Sequence, residues 1–129
     1  MRIEHIAIWA TDLEKLKDFY ITYFNASPNE KYINKEKNFE SYFLSFESGA
    51  RLELMKMPTI PDSKDDPYKQ FKGFIHLAIS VGTKDDVNSI TDKLKRDGFE
   101  IIEEPKETGD GYYESTVLDP EGNRIEITA

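Results

Sequence analysis

The sequence predicts an α+β fold built from two tandem βαβββ modules. Three observations predict it: an internal repeat, the same order of strand-like and helix-like segments in each half, and the length of the chain. The chain has 129 residues, which is one domain's length by the usual ~100–200 residues per domain. A half of this size could hardly bury a sufficient core alone, so we expect the two halves to pack as one domain.

The internal repeat places the chain's two histidines at matching positions. The motif EHIAI around His5 is matched by IHLAI around His76, and RLEL around Glu53 is matched by RIEI around Glu126. Strand-like apolar residues resemble one another in any pair of strands, but the matched His, Arg and Glu residues are not explained in that way. A duplication of one module accounts for them.

The first module begins with a strand, because Ile3–Trp9 alternates and is rich in β-branched residues. Thr11 and Glu14 have the spacing of a capping box at the start of a helix. We expect Pro28 to end that element. The apolar residues that recur at helical spacing in between are Leu13, Leu16, Phe19, Tyr20, Tyr23 and Phe24. The strands predicted to follow cover 31–36, 40–46 and 51–57.

The second module repeats this order after a proline- and aspartate-rich linker. We assign residues 1–57 to module 1, 58–71 to the linker and 72–129 to module 2. A strand over 74–81 precedes a helix over 84–97, and Gly98 follows as the helix C-cap signal. The strands predicted after the helix cover 99–104, 112–118 and 124–128.

Strand alternation predicts a metal site. Because alternate side chains of a strand share a face, His5 and Glu53 lie opposite the apolar residues of their strands, and so do His76 and Glu126. A curved sheet with this second face inward would bring the four together. Two imidazoles and two carboxylates suit a borderline divalent cation such as Zn, Ni, Co, Fe or Mn.

Composition excludes several classes of function. The formal net charge of −8 and the pI of about 4.8 argue against nucleic acid or an anionic membrane as the main partner. The chain has no cysteine, so thiolate nucleophiles, disulfides and Cys-ligated metals are excluded. No apolar run approaches the ~20 residues of a membrane span, and the start of the chain does not read as a signal peptide. We therefore expect a cytoplasmic protein.

The same residues resemble the glyoxalase or vicinal-oxygen-chelate superfamily over essentially the whole chain. The resemblance rests on IEHIAIWATDLEKLKDFY, ARLELM, GFIHLAISV and LDPEGNRIEIT. It implies paired βαβββ modules that form a cup-shaped, partly open mixed sheet around one metal, a homodimer and a small-molecule substrate. The set His5, Glu53, His76 and Glu126 is similar to that of glyoxalase I, the lactoylglutathione lyase. The short chain resembles bacterial forms, which implies Ni, Co or Zn as the metal, with Mn or Fe as further candidates, and no organic cofactor.

The resemblance also implies a reaction. A 2-oxoaldehyde–thiol hemithioacetal becomes a 2-hydroxyacyl thioester by proton transfer at a metal-bound enediolate, as in methylglyoxal detoxification. Glu126 is the first candidate for the base that moves the proton, and Glu53 is the second. Two alternatives stay open: another reaction of the same superfamily (epimerisation, dioxygenation or thiol transfer), and a non-catalytic protein that binds a drug or metabolite.

One departure from the family pattern concerns the substrate. Glutathione-using lyases commonly carry Arg four residues after the first His, where this chain has Trp9. Arg51 and Arg124 stand two residues before each Glu, where they either bind an anion or neutralise nearby carboxylates. The candidate substrate-pocket residues are Trp9, Arg51, Met55, Arg124 and Tyr112.

Overall fold

A computed structural model describes all 129 residues and divides them into unit 1, Met1–Ser63, and unit 2, Lys64–Ala129. The elements of unit 1 are β1 (His5–Trp9), α1 (Leu13–Phe24), β2 (Ser27–Pro28), β3 (Tyr32–Asn34), β4 (Phe39–Ser45) and β5 (Arg51–Lys56). Those of unit 2 are β6 (His76–Ser80), α2 (Lys84–Arg96), β7 (Ile101–Glu107), β8 (Tyr113–Leu118) and β9 (Arg124–Thr128). Neither helix has the length and apolar character that a membrane crossing requires.

Each unit contains one open mixed sheet. In unit 1 the strand order is β1-β5-β4-β2, with β3 also paired to β4, and in unit 2 it is β6-β9-β8-β7. The first strand of each unit pairs in parallel with the last, and the other pairings are antiparallel. The predicted α+β fold class is confirmed, and the two sheets match in topology apart from the additional short strand β2 in unit 1.

One face of each sheet is apolar and packs against that unit's helix. On the last strands, Leu52 and Leu54 are at most 1% exposed, and Ile125 and Ile127 are fully buried. The helices supply matching side chains, including Leu16 and Tyr20 of α1 and Val87 and Leu94 of α2, all of them fully buried. The alternation seen in the sequence therefore leaves the other face of each sheet for polar residues.

The two helices begin with different N-caps, and only α2 has a capping box. The N-cap of α1 is Asp12, whose side chain accepts from the backbone N–H of Lys15, so the predicted Thr11–Glu14 capping box is wrong by one residue. Asp caps a helix as well as Thr does, and Glu14 is occupied by ion pairs with Lys17 and Lys31. In α2 a capping box does form, between Thr83 and Asp86.

The helix ends also differ between the units. α1 ends at Phe24, because Asn25 adopts the left-handed conformation with φ 53°, which Asn tolerates better than most residues. Pro28, predicted as the end of this element, instead lies in β2. α2 ends at Arg96, and Gly98 follows with φ 88°, as the sequence predicts. In unit 2 the edge strand β7 extends to Glu107 despite Pro105, because an edge strand can do without one backbone donor.

Candidate metal centre

The first candidate ligand pair lies on the polar face of unit 1. His5 begins β1, and Glu53 lies on the parallel neighbour β5, where it is in register with Ala7. This register places His5 Nε2 3.6 Å from Glu53 Oε2. The His5 side chain is 40% exposed and that of Glu53 16%. The pair thus presents an imidazole nitrogen and a carboxylate oxygen next to each other on an accessible face.

The second pair repeats the first in unit 2. His76 begins β6, and Glu126 lies on the parallel neighbour β9, in register with Ala78. His76 Nε2 is 3.1 Å from Glu126 Oε2, and the two side chains are 36% and 20% exposed. The register is the same in both units, with each histidine opposite an arginine and each glutamate opposite an alanine. The duplicated motifs therefore have the same strand register.

The donor set of each pair fits a divalent cation. A neutral imidazole nitrogen and a carboxylate oxygen are the donors that Zn, Ni, Co, Mn and Fe accept in proteins. The four predicted ligands come together as pairs, each within one unit. No group of three or more His, Asp or Glu side chains has the spacing of a metal site. The ligation of one metal by all four residues stays a prediction.

The surroundings of His5 include the carboxylate of Glu4, for which the sequence predicts no role. His5 Nδ1 lies 2.5 Å from Glu4 Oε2, on the side of the ring away from Glu53. The hydrogen bonds from His5 and Arg51 hold the pKa of Glu4 below its usual value. Arg51 also lies over the ring of Phe43, 4.1 Å from its centroid. Of the two roles predicted for Arg51, the structure thus favours neutralisation of a carboxylate.

The surroundings of Glu126 include Glu114, another residue for which the sequence predicts no role. On β8, Thr116 is opposite Glu126 and Glu114 is opposite Thr128, so Glu114 shares the face of the second pair. Burial raises the pKa of Glu114, and the negative charges of Glu126 and Asp110 raise it further. The signal was present in the sequence, since strand alternation over 112–118 places Glu114 and Thr116 together.

An aromatic cluster lies beside the first pair. Trp9 contacts Phe39 edge-on with ring centroids 6.0 Å apart, and Phe39 contacts Tyr32 at 6.1 Å. Met55 is in register with Trp9 on the neighbouring strand. Trp9 is 40% exposed and Tyr32 is 55% exposed. Two of the predicted pocket residues, Trp9 and Met55, therefore lie on the same face as His5 and Glu53 and give it apolar character.

The remaining predicted pocket residues lie in unit 2. Arg124 is opposite His76 in the sheet, and its Nη1 donates to the carbonyl of Pro67 at 2.9 Å. Its Nε is buried without a hydrogen-bond partner. Tyr112 lies in the turn before β8 and is 52% exposed. The turn before Arg124 is fixed by Asp119, which is 4% exposed and accepts from the backbone and side chain of Asn123.

Comparison with known proteins agrees with this architecture. A family model described as the glyoxalase/bleomycin resistance protein/dioxygenase superfamily matches residues 2–127. The uncharacterized protein YwkD of Bacillus subtilis is 31% identical over 83 residues, which are 64% of this chain and 63% of that protein. The match therefore spans less than two thirds of that relative's length.

Solved structures resemble the fold at low sequence identity. A mutant of glyoxalase I from Zea mays is 22% identical, with a TM-score of 0.78 over 98% of this chain and 44% of that chain. The trypanothione-dependent glyoxalase I of Leishmania major is 24% identical, with a TM-score of 0.75 over 98% of this chain and 85% of that chain. These two likenesses show the fold.

Proposed function

Because the chain belongs to the glyoxalase/bleomycin resistance protein/dioxygenase superfamily, we propose that it is a metal-dependent lyase of the glyoxalase I type. Its reaction would convert the hemithioacetal of a 2-oxoaldehyde and a thiol into a 2-hydroxyacyl thioester. The observation that carries the proposal is the pair of matched His–Glu contacts, 3.6 Å in one unit and 3.1 Å in the other. Two imidazoles and two carboxylates are the ligand set expected for this reaction.

His5, Glu53, His76 and Glu126 are the residues that would hold the metal ion, with Ni, Co or Zn as the first candidates. Two carboxylates among the ligands balance the charge of a divalent cation. A bound divalent cation supplies Lewis-acid chemistry, which acidifies the C–H bond beside a carbonyl and stabilises the negative charge that develops on oxygen. We propose no organic cofactor.

Glu126 is the proposed base. Its carboxylate takes the proton from the carbon that carries sulfur and returns it to the adjacent carbonyl carbon, while the hydroxyl proton moves to the other oxygen. The product is an isomer of the substrate, so no oxidant or reductant is consumed. Glu126 is 20% exposed on the polar face, which allows its carboxylate to reach a substrate held there. Glu53 is the second candidate for the same role.

The aromatic cluster bears on the thiol of the substrate. At the position where glutathione-using enzymes commonly have Arg, Trp9 packs against Phe39, and Arg51 is paired with Glu4. Both observations favour a thiol whose recognition does not depend on an arginine at that position. At least one similar protein depends on a thiol other than glutathione, because the Leishmania major glyoxalase I is trypanothione-dependent. We further propose that the enzyme is a homodimer and acts in the cytoplasm.

The test is an assay of the protein reconstituted with Ni²⁺, Co²⁺ or Zn²⁺, on methylglyoxal hemithioacetals of several small thiols and of glutathione. We expect thioester formation with at least one thiol. Glu126→Gln should lower kcat by about 10²–10⁴-fold, the usual contribution of a general base. The matched control is Glu104→Gln, because Glu104 is an exposed carboxylate paired with Lys95, and its activity should equal that of the wild type.

Three outcomes would contradict the proposal. Turnover of the Glu126→Gln variant at the wild-type rate would exclude Glu126 as the base. Formation of an epimer, an oxygenated product or a thiol adduct would indicate another reaction of the superfamily. Binding of small molecules without any turnover or metal dependence would indicate a binding protein.

A further inference from the structure

His5 differs from its counterpart His76 in having an acidic partner at each ring nitrogen. Its Nε2 lies 3.6 Å from Glu53, and its Nδ1 lies 2.5 Å from Oε2 of Glu4. His76 forms an ion pair with Glu126 through Nε2, and the residue before it is Ile75, which has no carboxylate to offer Nδ1. The repeat therefore has an asymmetry that the duplicated motif does not require.

Glu4 is itself held in place by Arg51. The guanidinium of Arg51 donates to Oε1 of Glu4 through Nε at 2.8 Å and also through Nη2. The backbone N–H of Arg51 donates to the carbonyl of Glu4 at 3.0 Å. The ring of Phe43 packs against Arg51 on one side and edge-on against His5, with ring centroids 5.4 Å apart in the second contact. Both carboxylate oxygens of Glu4 thus have fixed donors.

This arrangement decides which nitrogen of His5 carries the proton. An ionised carboxylate only accepts hydrogen bonds, so Nδ1, which lies within hydrogen-bond distance of Glu4, must donate to it. The 3.6 Å between Nε2 and Glu53 is too long for a hydrogen bond, so Glu53 does not require a proton on Nε2. In a neutral imidazole the other nitrogen then has the free lone pair, and here that nitrogen is Nε2, next to Glu53. A hydrogen bond to one ring nitrogen generally sets which nitrogen binds a metal, and it fixes the orientation of the ring.

We propose that Glu4, held by Arg51, is a positioning residue that keeps His5 in the Nδ1–H tautomer with Nε2 directed to the metal site. The contacts from which the tautomer is inferred lie in unit 1, whereas its effect on metal binding rests on the proposed function. Glu4 acts through His5 and touches neither metal nor substrate. Arg51 acts one step further away, through Glu4.

The first test measures the tautomers of both histidines in the metal-free protein. Long-range ¹H–¹⁵N correlation spectra, recorded at a pH where the rings are neutral, distinguish a protonated ring nitrogen from an unprotonated one. In the wild type we expect His5 to be protonated on Nδ1. Glu4→Ala should convert His5 to a mixture of tautomers, and Glu4→Gln, which keeps an acceptor oxygen, should restore Nδ1–H in part. His76 is the internal reference and should not change.

The second test measures affinity for Ni²⁺ by calorimetric titration of the same proteins. We expect Glu4→Ala to weaken binding by about 10–100-fold, the usual effect of removing such a partner. Arg51→Met should weaken binding in the same direction, because it releases Glu4. The control Glu104→Ala removes an exposed carboxylate of another ion pair and should leave both the tautomers and the affinity unchanged.

The failures of the two proposals are distinguishable. A wild-type His5 protonated on Nε2, or the same tautomer in the wild type and Glu4→Ala, would overturn the inference. Equal Ni²⁺ affinity of the wild type and Glu4→Ala would also overturn it, while leaving the metal site itself intact. A wild type that binds no Ni²⁺, with the expected change of tautomer in Glu4→Ala, would contradict the proposed function but support the role of Glu4 in orienting His5.

Discussion

Thr91 and Ser115 form a buried hydroxyl pair between α2 and β8, and both residues are at most 1% exposed. Thr91 Oγ1 lies 2.6 Å from the carbonyl of Val87 and 2.7 Å from Ser115 Oγ. A carbonyl only accepts, so Thr91 donates its single proton to Val87. Ser115 must then donate to Thr91. The two hydroxyls therefore have unequal roles.

This inequality predicts unequal effects on stability. Thr91→Val leaves the buried Ser115 hydroxyl without an acceptor, so we expect a loss of about 1–3 kcal/mol. Ser115→Ala leaves Thr91 bonded to Val87, so the loss should be smaller, about 0.5–1.5 kcal/mol. The double variant should lose less than the sum of the single variants. Urea unfolding measures all three, and a Ser115→Ala variant less stable than Thr91→Val would contradict the assignment of donors.

The residues around His5 show which side-chain positions the sequence could predict and which it could not. Alternation correctly placed His5 and Glu53 on one face, because both lie inside paired strands. Over the predicted strand Ile3–Trp9, alternation placed Glu4 on the face opposite to His5, and this placement is wrong. β1 begins at His5, so the side chain of Glu4, before the strand, is free to turn toward its neighbour. Glu4 reaches His5 in this way. The sequence predicted the four candidate ligands but not the contact of one of them, His5, with Glu4.

Among the elements, α1 is tied to the sheet of unit 1 through Glu14. The carboxylate pairs with Lys17 in the helix and with Lys31 next to β3, and it accepts from the hydroxyl of Tyr42 on β4. The donors lower the pKa of Glu14 from 4.5 to about 2, with Lys17 as the largest cause and Lys31 next. The charged form of Glu14 is thus the form that the folded protein favours.

A pH dependence of stability follows. Because the pKa of Glu14 is lower in the folded state, its contribution to stability is complete above pH 4.5 and is lost as the pH falls toward 2. The side chain is 50% exposed, so solvent screening limits this contribution to about 1 kcal/mol or less. Glu14→Gln should reduce the loss of stability over this pH range.

The comparison uses thermal unfolding of three proteins between pH 5 and pH 2. Glu30→Gln is the control, because Glu30 is an exposed carboxylate in the same unit and forms none of the ion pairs of Glu14. We expect the control to follow the wild type and Glu14→Gln to show a smaller decrease. Parallel curves for all three proteins would show that the ion pairs of Glu14 do not stabilise the fold.

Most of the element order could be predicted because apolar residues recur clearly at helical spacing in the helices and alternate clearly in the strands of this sequence. Strand β9 begins and ends as predicted, and α2 differs by one residue at its end. The errors concentrate where two local signals compete: Asp12 rather than Thr11 caps α1, and Asn25 ends it before Pro28. Such choices depend on which nearby side chain is already bonded elsewhere, which a linear pattern does not contain.

At the scale of the whole molecule, the duplication predicted that the order of strands and helix repeats in the two halves, and the resemblance of the motifs predicted the family. It also predicts that the two His–Glu pairs act as one site, and that residues 1–57 and 72–129 form a single domain. Both of these stay predictions. The contacts that form each pair lie within one unit, so they follow from local register. The joining of the pairs depends on packing that no local pattern specifies.

The central claim is that the two His–Glu pairs form one metal site. The measurement that tests it most directly is the number of Ni²⁺ ions bound per chain. The proposed site predicts one tightly bound ion in the wild type, and its loss in both His5→Ala and His76→Ala, because each unit contributes half of the ligands. Metal binding should also raise the melting temperature of the wild type. Two ions per wild-type chain, with one remaining in each variant, would show that the pairs bind separately, and no bound ion in the wild type would contradict a metal site altogether.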